Sequence, residues 1–158
     1  MAPLPKVLLA LDDSENAMRA VEYVSKNFTP EHGVTLFSVL PDTQALCNME
    51  SPELTPYFRS QQNVFCSLED KKKELMEAAA NRAKNVLLEA GFKKENITVK
   101  IQAKKKGIAR DIAAEAETGY DTIVLGRRGL SGIKEFVMGS VSQKVLHSIR
   151  DVSIVIVS

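Results

Sequence analysis

The sequence predicts an α/β fold in which an open, five-stranded parallel sheet carries helices on both faces. Three observations point there. Short apolar runs at Val7 to Leu11, Val34 to Leu40 and Thr122 to Leu125 show little polar alternation, which is how strands buried on both faces read. The segments between them place apolar residues at helical spacing, so the elements alternate β-α-β-α-β-α-β-α-β. Helical crossovers of this kind join parallel strands with a right-handed sense. At 158 residues the chain suits one domain with one core, spanning 1–158.

Each element has its own warrant. The first strand stops at Asp12-Asp13-Ser14, any of which suits a helix N-cap, and Glu15 follows Asp12 at the spacing of a capping box. Ala17, Ala20, Val21, Val24 and Phe28 then mark the buried face of the first helix. Pro41 ends the second strand. Residues 41–66 contain Pro41, Pro52 and Pro56 without a clear period, and read as a long variable loop with a helical turn near 56–60. Ser67 resembles the cap of a long helix whose core face is Leu75, Ala79, Ala83, Val86, Leu87 and Ala90, stopped by Gly91. Ile97, Val99, Ile101 and Ala103 alternate with polar residues, as in a half-buried strand near a sheet edge. Ile108, Ala109, Ile112, Ala113 and Ala116 form the face of a shorter helix. Val141, Val145 and Ile149 indicate a last helix, and Val152 to Val157 a last strand.

Composition narrows the function classes. Apolar residues at 44% and charged residues at 26% are ordinary for a globular protein, and 21 basic against 20 acidic residues leave a formal charge of +1. Nothing global therefore favours nucleic acid or an anionic membrane as partner. No apolar run reaches membrane-spanning length and no signal-like segment opens the chain, so a cytoplasmic protein is expected. Cys47 and Cys66 are too few to staple a domain and show no zinc spacing; both lie in one loop-like region, so a disulfide between them is geometrically feasible, but a reduced pair is expected.

The functional information concentrates after the fourth strand. Two residues separate Gly126 from Gly129, and nine separate Gly129 from Gly139, which is followed by Ser140. Glycines after a buried strand let the backbone turn and approach a ligand closely. Gly139-Ser140 opens a helix, where unpaired N–H groups and the positive dipole end attract phosphate oxygens. A serine at a helix start is also an ordinary cap. The Walker-type and dinucleotide-type glycine patterns are both absent. Arg127 and Arg128 could neutralise phosphate charge, but read more simply as exposed loop residues. Lys104-Lys105-Lys106 reads as a solvated turn, with a contribution to the positive field near a nucleotide as the alternative, and Lys71-Lys72-Lys73 as a solvated helix face. His32 and His147 have no second ligand at metal spacing, and no base stands near Ser14 or Ser131 in sequence. Neither a metal site nor a catalytic residue is expected.

The spacing G-x2-G-x9-G-S after a strand Tyr120-Asp-Thr-Ile-Val-Leu-Gly126 resembles the ATP-binding signature of the universal stress protein family. The first-strand end Ala10-Leu11-Asp12-Asp13-Ser14 and the valine-rich final strand are similar to that family too. Asp13 and Asp151-Val152-Ser153 depart from its usual pattern. The resemblance implies the strand order 3-2-1-4-5. It also implies ATP as ligand, with or without Mg²⁺, and a binding set of Ala10, Asp12, Val39, Leu125, Gly126, Gly129, Gly139, Ser140 and Val141. In that set Asp12 meets the ribose, the Val39 backbone meets adenine, and Gly126 and Gly129 lie along the ribose and phosphates. Gly139, Ser140 and Val141 bind the phosphates. It further implies a homodimer through the last strand. The expectation is a nucleotide-dependent regulatory or stress-response factor with little or no turnover. The rivals are a dimeric interaction module with weak or no nucleotide binding, and a slow ATPase.

Overall fold

In the computed structural model, which describes residues 4–12, 14–40, 56–127 and 140–158, five strands form one sheet. In chain order the elements are β1 (Lys6–Ala10), α1 (Glu15–Asn27), β2 (Gly33–Leu40), α2 (Pro56–Glu89), a 3₁₀ turn (Lys94–Asn96), β3 (Ile97–Ala103), α3 (Ile108–Ala116), β4 (Thr122–Gly126), α4 (Ser140–Ser148) and β5 (Ser153–Val157). All pairings are parallel and the order is β3-β2-β1-β4-β5. The fold class and the strand order are those expected.

Both faces of the sheet are buried, and this explains the continuous apolar runs. On one face Val7, Leu9, Val34, Leu36 and Val124 meet Ala17, Ala20, Val21 and Val24 of α1 and Ala79, Ala80, Ala83 and Leu87 of α2. On the other, Leu8, Phe37, Ile123 and Leu125 meet Ala109, Ile112 and Ala116 of α3 and Val145 of α4. Successive residues of β1 thus serve opposite layers, as the two-residue period of a strand requires.

Two polar devices fix the start of the sheet and the entry to α3. Asp121, leading into β4, accepts the Lys6 N–H through Oδ2 at 2.8 Å, and its backbone N–H donates to the Lys6 carbonyl at 2.9 Å. Asp111 is buried inside α3, where its carboxylate accepts the N–H groups of Lys105 and Lys106 at 2.7 and 3.1 Å. Those bonds hold the lysine turn against the helix while its three side chains stay exposed, as expected. Gly107 precedes α3 at φ 156° and ψ 154°, a backbone region that essentially only glycine occupies.

The main difference from expectation lies in α2. It starts at Pro56 rather than after a loop ending at 66, and runs 34 residues, about 50 Å at 1.5 Å per residue. Proline fits a first helical turn, because its missing N–H would be unpaired there anyway, and residues 57–89 contain no further glycine or proline. The early turns gave no clear periodic signal; among their described side chains Val64 and Leu68 are exposed, and Met76 is the first buried one in the helix. Leu75, expected in the core, is 46% exposed, and Met76, Ala79, Ala80, Ala83 and Leu87 form the buried stripe instead. The remaining residues 41–55 of the expected loop lie outside the described residues.

Cys66 on α2 is disulfide-bonded, against the expected reduced pair. Its possible partner within the chain, Cys47, lies outside the described residues. Composition speaks to the redox compartment, whereas pairing depends on whether two Cα atoms come close enough to be bridged. Among the described residues no helix is long and apolar enough to cross a membrane.

Candidate functional site

Strand order creates the site. After β1 the chain turns to one face of the sheet and after β4 to the other, so the carboxyl ends of these neighbouring strands diverge and leave a crevice. A cavity of about 200 Å³ lies there. Its walls come from β1 and the following turn (Ala10, Leu11, Asp12, Ser14), β2 (Phe37, Val39), β4 (Leu125, Gly126) and the start of α4 (Val141, Ser142). Ala17 of α1, Ile108 and Ile112 of α3, and Lys72 and Met76 of α2 complete it. Ordinary small-molecule pockets run from about 300 to 1,000 Å³, so the enclosed part of this cavity is smaller than a typical small-molecule site.

The strand ends that frame the cavity are tied together by hydrogen bonds. The Leu11 N–H donates to the Phe37 carbonyl at 2.8 Å, and the buried Ser38 hydroxyl donates to the Leu11 carbonyl at 2.8 Å. On the opposite wall the Ser142 hydroxyl donates to the Gly126 carbonyl at 2.7 Å, joining α4 to the end of β4. The Arg127 N–H donates to the Val157 carbonyl at 2.7 Å and anchors β5. Such bonds hold the walls rigid before any ligand arrives, which lowers the ordering cost of binding.

Asp12 and Ser14 divide the roles that the sequence left open. Ser14 is the N-cap of α1, its Oγ accepting the Ala17 N–H at 3.2 Å. Asp12 instead accepts the Ser14 N–H through Oδ1 at 2.8 Å, closing a tight turn, and also lines the cavity. With Ser14 as cap, the third helical position is Ala17, so Glu15 completes no capping box. Asp13 lies outside the described residues.

Gly126 differs from expectation in its physical reason. It ends β4 without a positive φ. A Cβ placed on it would stand 3.1 Å from the backbone oxygen and 3.2 Å from the carbonyl carbon of Asn16, in the first turn of α1. The missing side chain therefore lets α1 approach the strand end, and the same closeness shapes the cavity wall.

Of the nine residues expected in the binding set, Ala10, Asp12, Val39, Leu125, Gly126 and Val141 all line the cavity. Ser140 is the first residue of α4, where it is exposed and not a lining residue. Gly129 and Gly139 lie outside the described residues, as does Arg128. Sequence reasoning missed Phe37, Ser38, Met76, Ile108, Ile112 and Ser142, each of which reads as ordinary core or helix. It also placed Lys72 in solvent, whereas that residue is half-buried at the cavity. Only the one-turn spacing from Lys72 to the buried Met76 hinted otherwise.

A second titratable cluster lies away from the cavity, at the β3 edge. Lys100 pairs with Glu115 at 2.8 Å and stands 5.9 Å from the Phe37 ring centroid, while the Tyr120 hydroxyl donates to Glu115 at 3.1 Å. The hydrogen bond to Glu115 raises the Lys100 pKa, and burial raises that of Tyr120. Among the described residues no group of three or more His, Cys, Asp or Glu side chains could hold a metal ion.

Comparison with known proteins agrees with this architecture. UspA, a universal stress protein from Lactobacillus plantarum, superposes with a TM-score of 0.70 at 19% identity, covering 100% of both chains. A universal stress protein crystallised in complex with cAMP superposes with a TM-score of 0.62 at 16% identity, covering 99% of this chain and 98% of that one. At such identities the likeness shows the fold. In sequence the chain is 36% identical over 69 residues to the universal stress protein YxiE of Bacillus subtilis (strain 168), covering 34% of this chain and 47% of that protein. The match thus spans about half the length of that relative. The model of the universal stress protein family matches residues 4–157, so this chain belongs to the universal stress protein family.

Proposed function

We propose that this chain is a nucleotide-dependent regulatory or stress-response factor that binds an adenine nucleotide, foremost ATP, with little or no turnover. One observation carries the reading: a single cavity at the β1–β4 crevice is lined by Ala10, Asp12, Val39, Leu125, Gly126 and Val141. Phe37, Val39 and Leu125 offer apolar walls to a purine. Asp12 offers a carboxylate oxygen to ribose hydroxyls, and the N-terminus of α4, beginning at Ser140, offers N–H groups to phosphates. Gly129 and Gly139 belong to the same proposed set. The structural relative in complex with cAMP, itself an adenine nucleotide, supports the ligand class.

The charges among the described lining residues support low turnover. Phosphoryl transfer needs a positioned base and charge clamps around the reacting phosphate. Among the described lining residues Asp12 and Lys72 are the ionisable side chains, and one oxygen of Asp12 is already engaged by the Ser14 N–H. Calorimetric titration with Mg-ATP tests the reading, beside a Gly139→Val, Ser140→Ala double variant and an Asp12→Ala variant. Binding by the wild type that is lost in the variants is the expected result. A wild type that neither binds ATP nor co-purifies with nucleotide would instead favour the interaction-module reading.

β5 favours a twofold dimer as the working form. It is an edge strand, and Ile154, Val155, Ile156 and Val157 are only half-buried. Pairing with the same strand of a second chain would cover its open backbone groups.

A further inference from the structure

Lys72 is the middle of three consecutive lysines, and the helix treats it differently from its neighbours. Lys71 and Lys73 are exposed, whereas Lys72 is half-buried and lines the cavity beside Met76, one turn further along α2. Met76 is 4% exposed and seats the helix on the core, so the turn before it comes over the crevice. A lysine stem lying along an apolar neighbour while its ammonium stays near water is a favourable placement. Among the described residues Lys72 makes no hydrogen bond or ion pair. Its three donors are available to a ligand.

The sign of the cavity then depends on this residue. Asp12 and Lys72 are the two ionisable side chains among the described lining residues, and they balance. Without Lys72 the cavity would present a net negative charge from Asp12. A neutral nucleoside would be indifferent to that change, but a nucleotide brings its own negative charges and would be repelled. Lysine suits the task because it is a point charge on a flexible stem, able to follow a phosphate without fixed geometry.

We propose that Lys72 is a specificity-determining residue of the cavity, selecting phosphate-bearing adenine nucleotides over neutral adenosine. The inference rests on the nucleotide-binding reading above. It assigns a role to α2, which lies outside the glycine-rich motif.

The test measures dissociation constants for ATP, AMP and adenosine by calorimetry, in wild type, Lys72→Met, Lys72→Arg and Lys73→Met. Losing a charge-assisted hydrogen bond should weaken ATP binding by roughly tenfold or more. Lys72→Met is expected to show that loss for ATP and a smaller one for AMP, with adenosine unchanged within about twofold. Lys72→Arg should retain most of the ATP affinity. Lys73→Met removes the same charge from an exposed neighbour and should change nothing. The ATP affinity of the wild type should also fall more steeply with salt than that of Lys72→Met. An equal loss for adenosine and ATP would mean that Lys72 acts by packing, and would overturn the proposal. So would unchanged ATP affinity in Lys72→Met, or an equal loss in Lys73→Met. A wild type that binds none of the three ligands overturns the parent reading and this inference with it.

Discussion

Replacing Gly126 with alanine separates a folding requirement from a ligand requirement. The added methyl carbon would lie 3.1 Å from the Asn16 oxygen, 3.2 Å from its carbonyl carbon and 3.4 Å from its Cβ. The two closest of these are backbone atoms, so no side-chain rotation relieves them. Each partner is also held in place. Asn16 sits in the first turn of α1, capped by Ser14, while Gly126 is tied by the Ser142 hydroxyl and by pairing with Val157. Relief requires a shift of a few tenths of an ångström in a helix or a strand, and overpacking of this kind costs about 1–3 kcal/mol. Gly126 has no positive φ, so alanine also restricts the unfolded chain and recovers about 0.4–1 kcal/mol. The packing penalty exceeds this over nearly all of its range, leaving a net loss of up to about 2.6 kcal/mol and centrally about 1.3 kcal/mol, a melting temperature roughly 3–5 °C lower at that centre for a chain of this size. Calorimetric melting of ligand-free protein gives the readout. Gly33→Ala is the control, since its nearest atoms would be 3.7 and 3.9 Å away and its melting temperature should not fall. A Gly126→Ala variant melting at or above wild type would refute the steric argument.

Three further outcomes are expected. Ser14→Ala removes the α1 cap and should cost about 1 kcal/mol in urea unfolding at unchanged denaturant slope; a loss below about 0.3 kcal/mol would mean that water replaces the cap fully. Lys100 and Tyr120 both hold their protons more tightly folded than unfolded, so their contribution is complete below about pH 10 and is lost as pH rises through the raised values. Melting temperatures of wild type and a Lys100→Met, Tyr120→Phe double variant should therefore converge above pH 10, and parallel curves would contradict the assignment. Ile156→Lys puts a charge on the open β5 edge and should turn a dimer into a monomer in sedimentation; an unchanged mass would count against pairing through β5.

The sequence by itself determined the class of fold and pointed to the carboxyl ends of its strands as the site proposed above. Apolar runs such as Val7 to Leu11 carry the signature of strands buried on both faces, and the helical spacing between them leaves a parallel sheet as the consistent solution. Asp12 and Gly126, which reach the crevice from strand ends, were legible because position along a strand is local information, whereas Val39 came from the family resemblance. The early turns of α2 were not, since apolar residues that stay exposed, as Val64 and Leu68 do, mark no buried stripe to read. Nor was the register of that helix. Whether Leu75 or Met76 faces the core depends on how α2 lies across α1 and the sheet, and that same placement brings Lys72 over the cavity. Gly126 shows the division most clearly. Its position was readable in the chain, but its reason is the approach of Asn16, 110 residues earlier, which only tertiary packing decides.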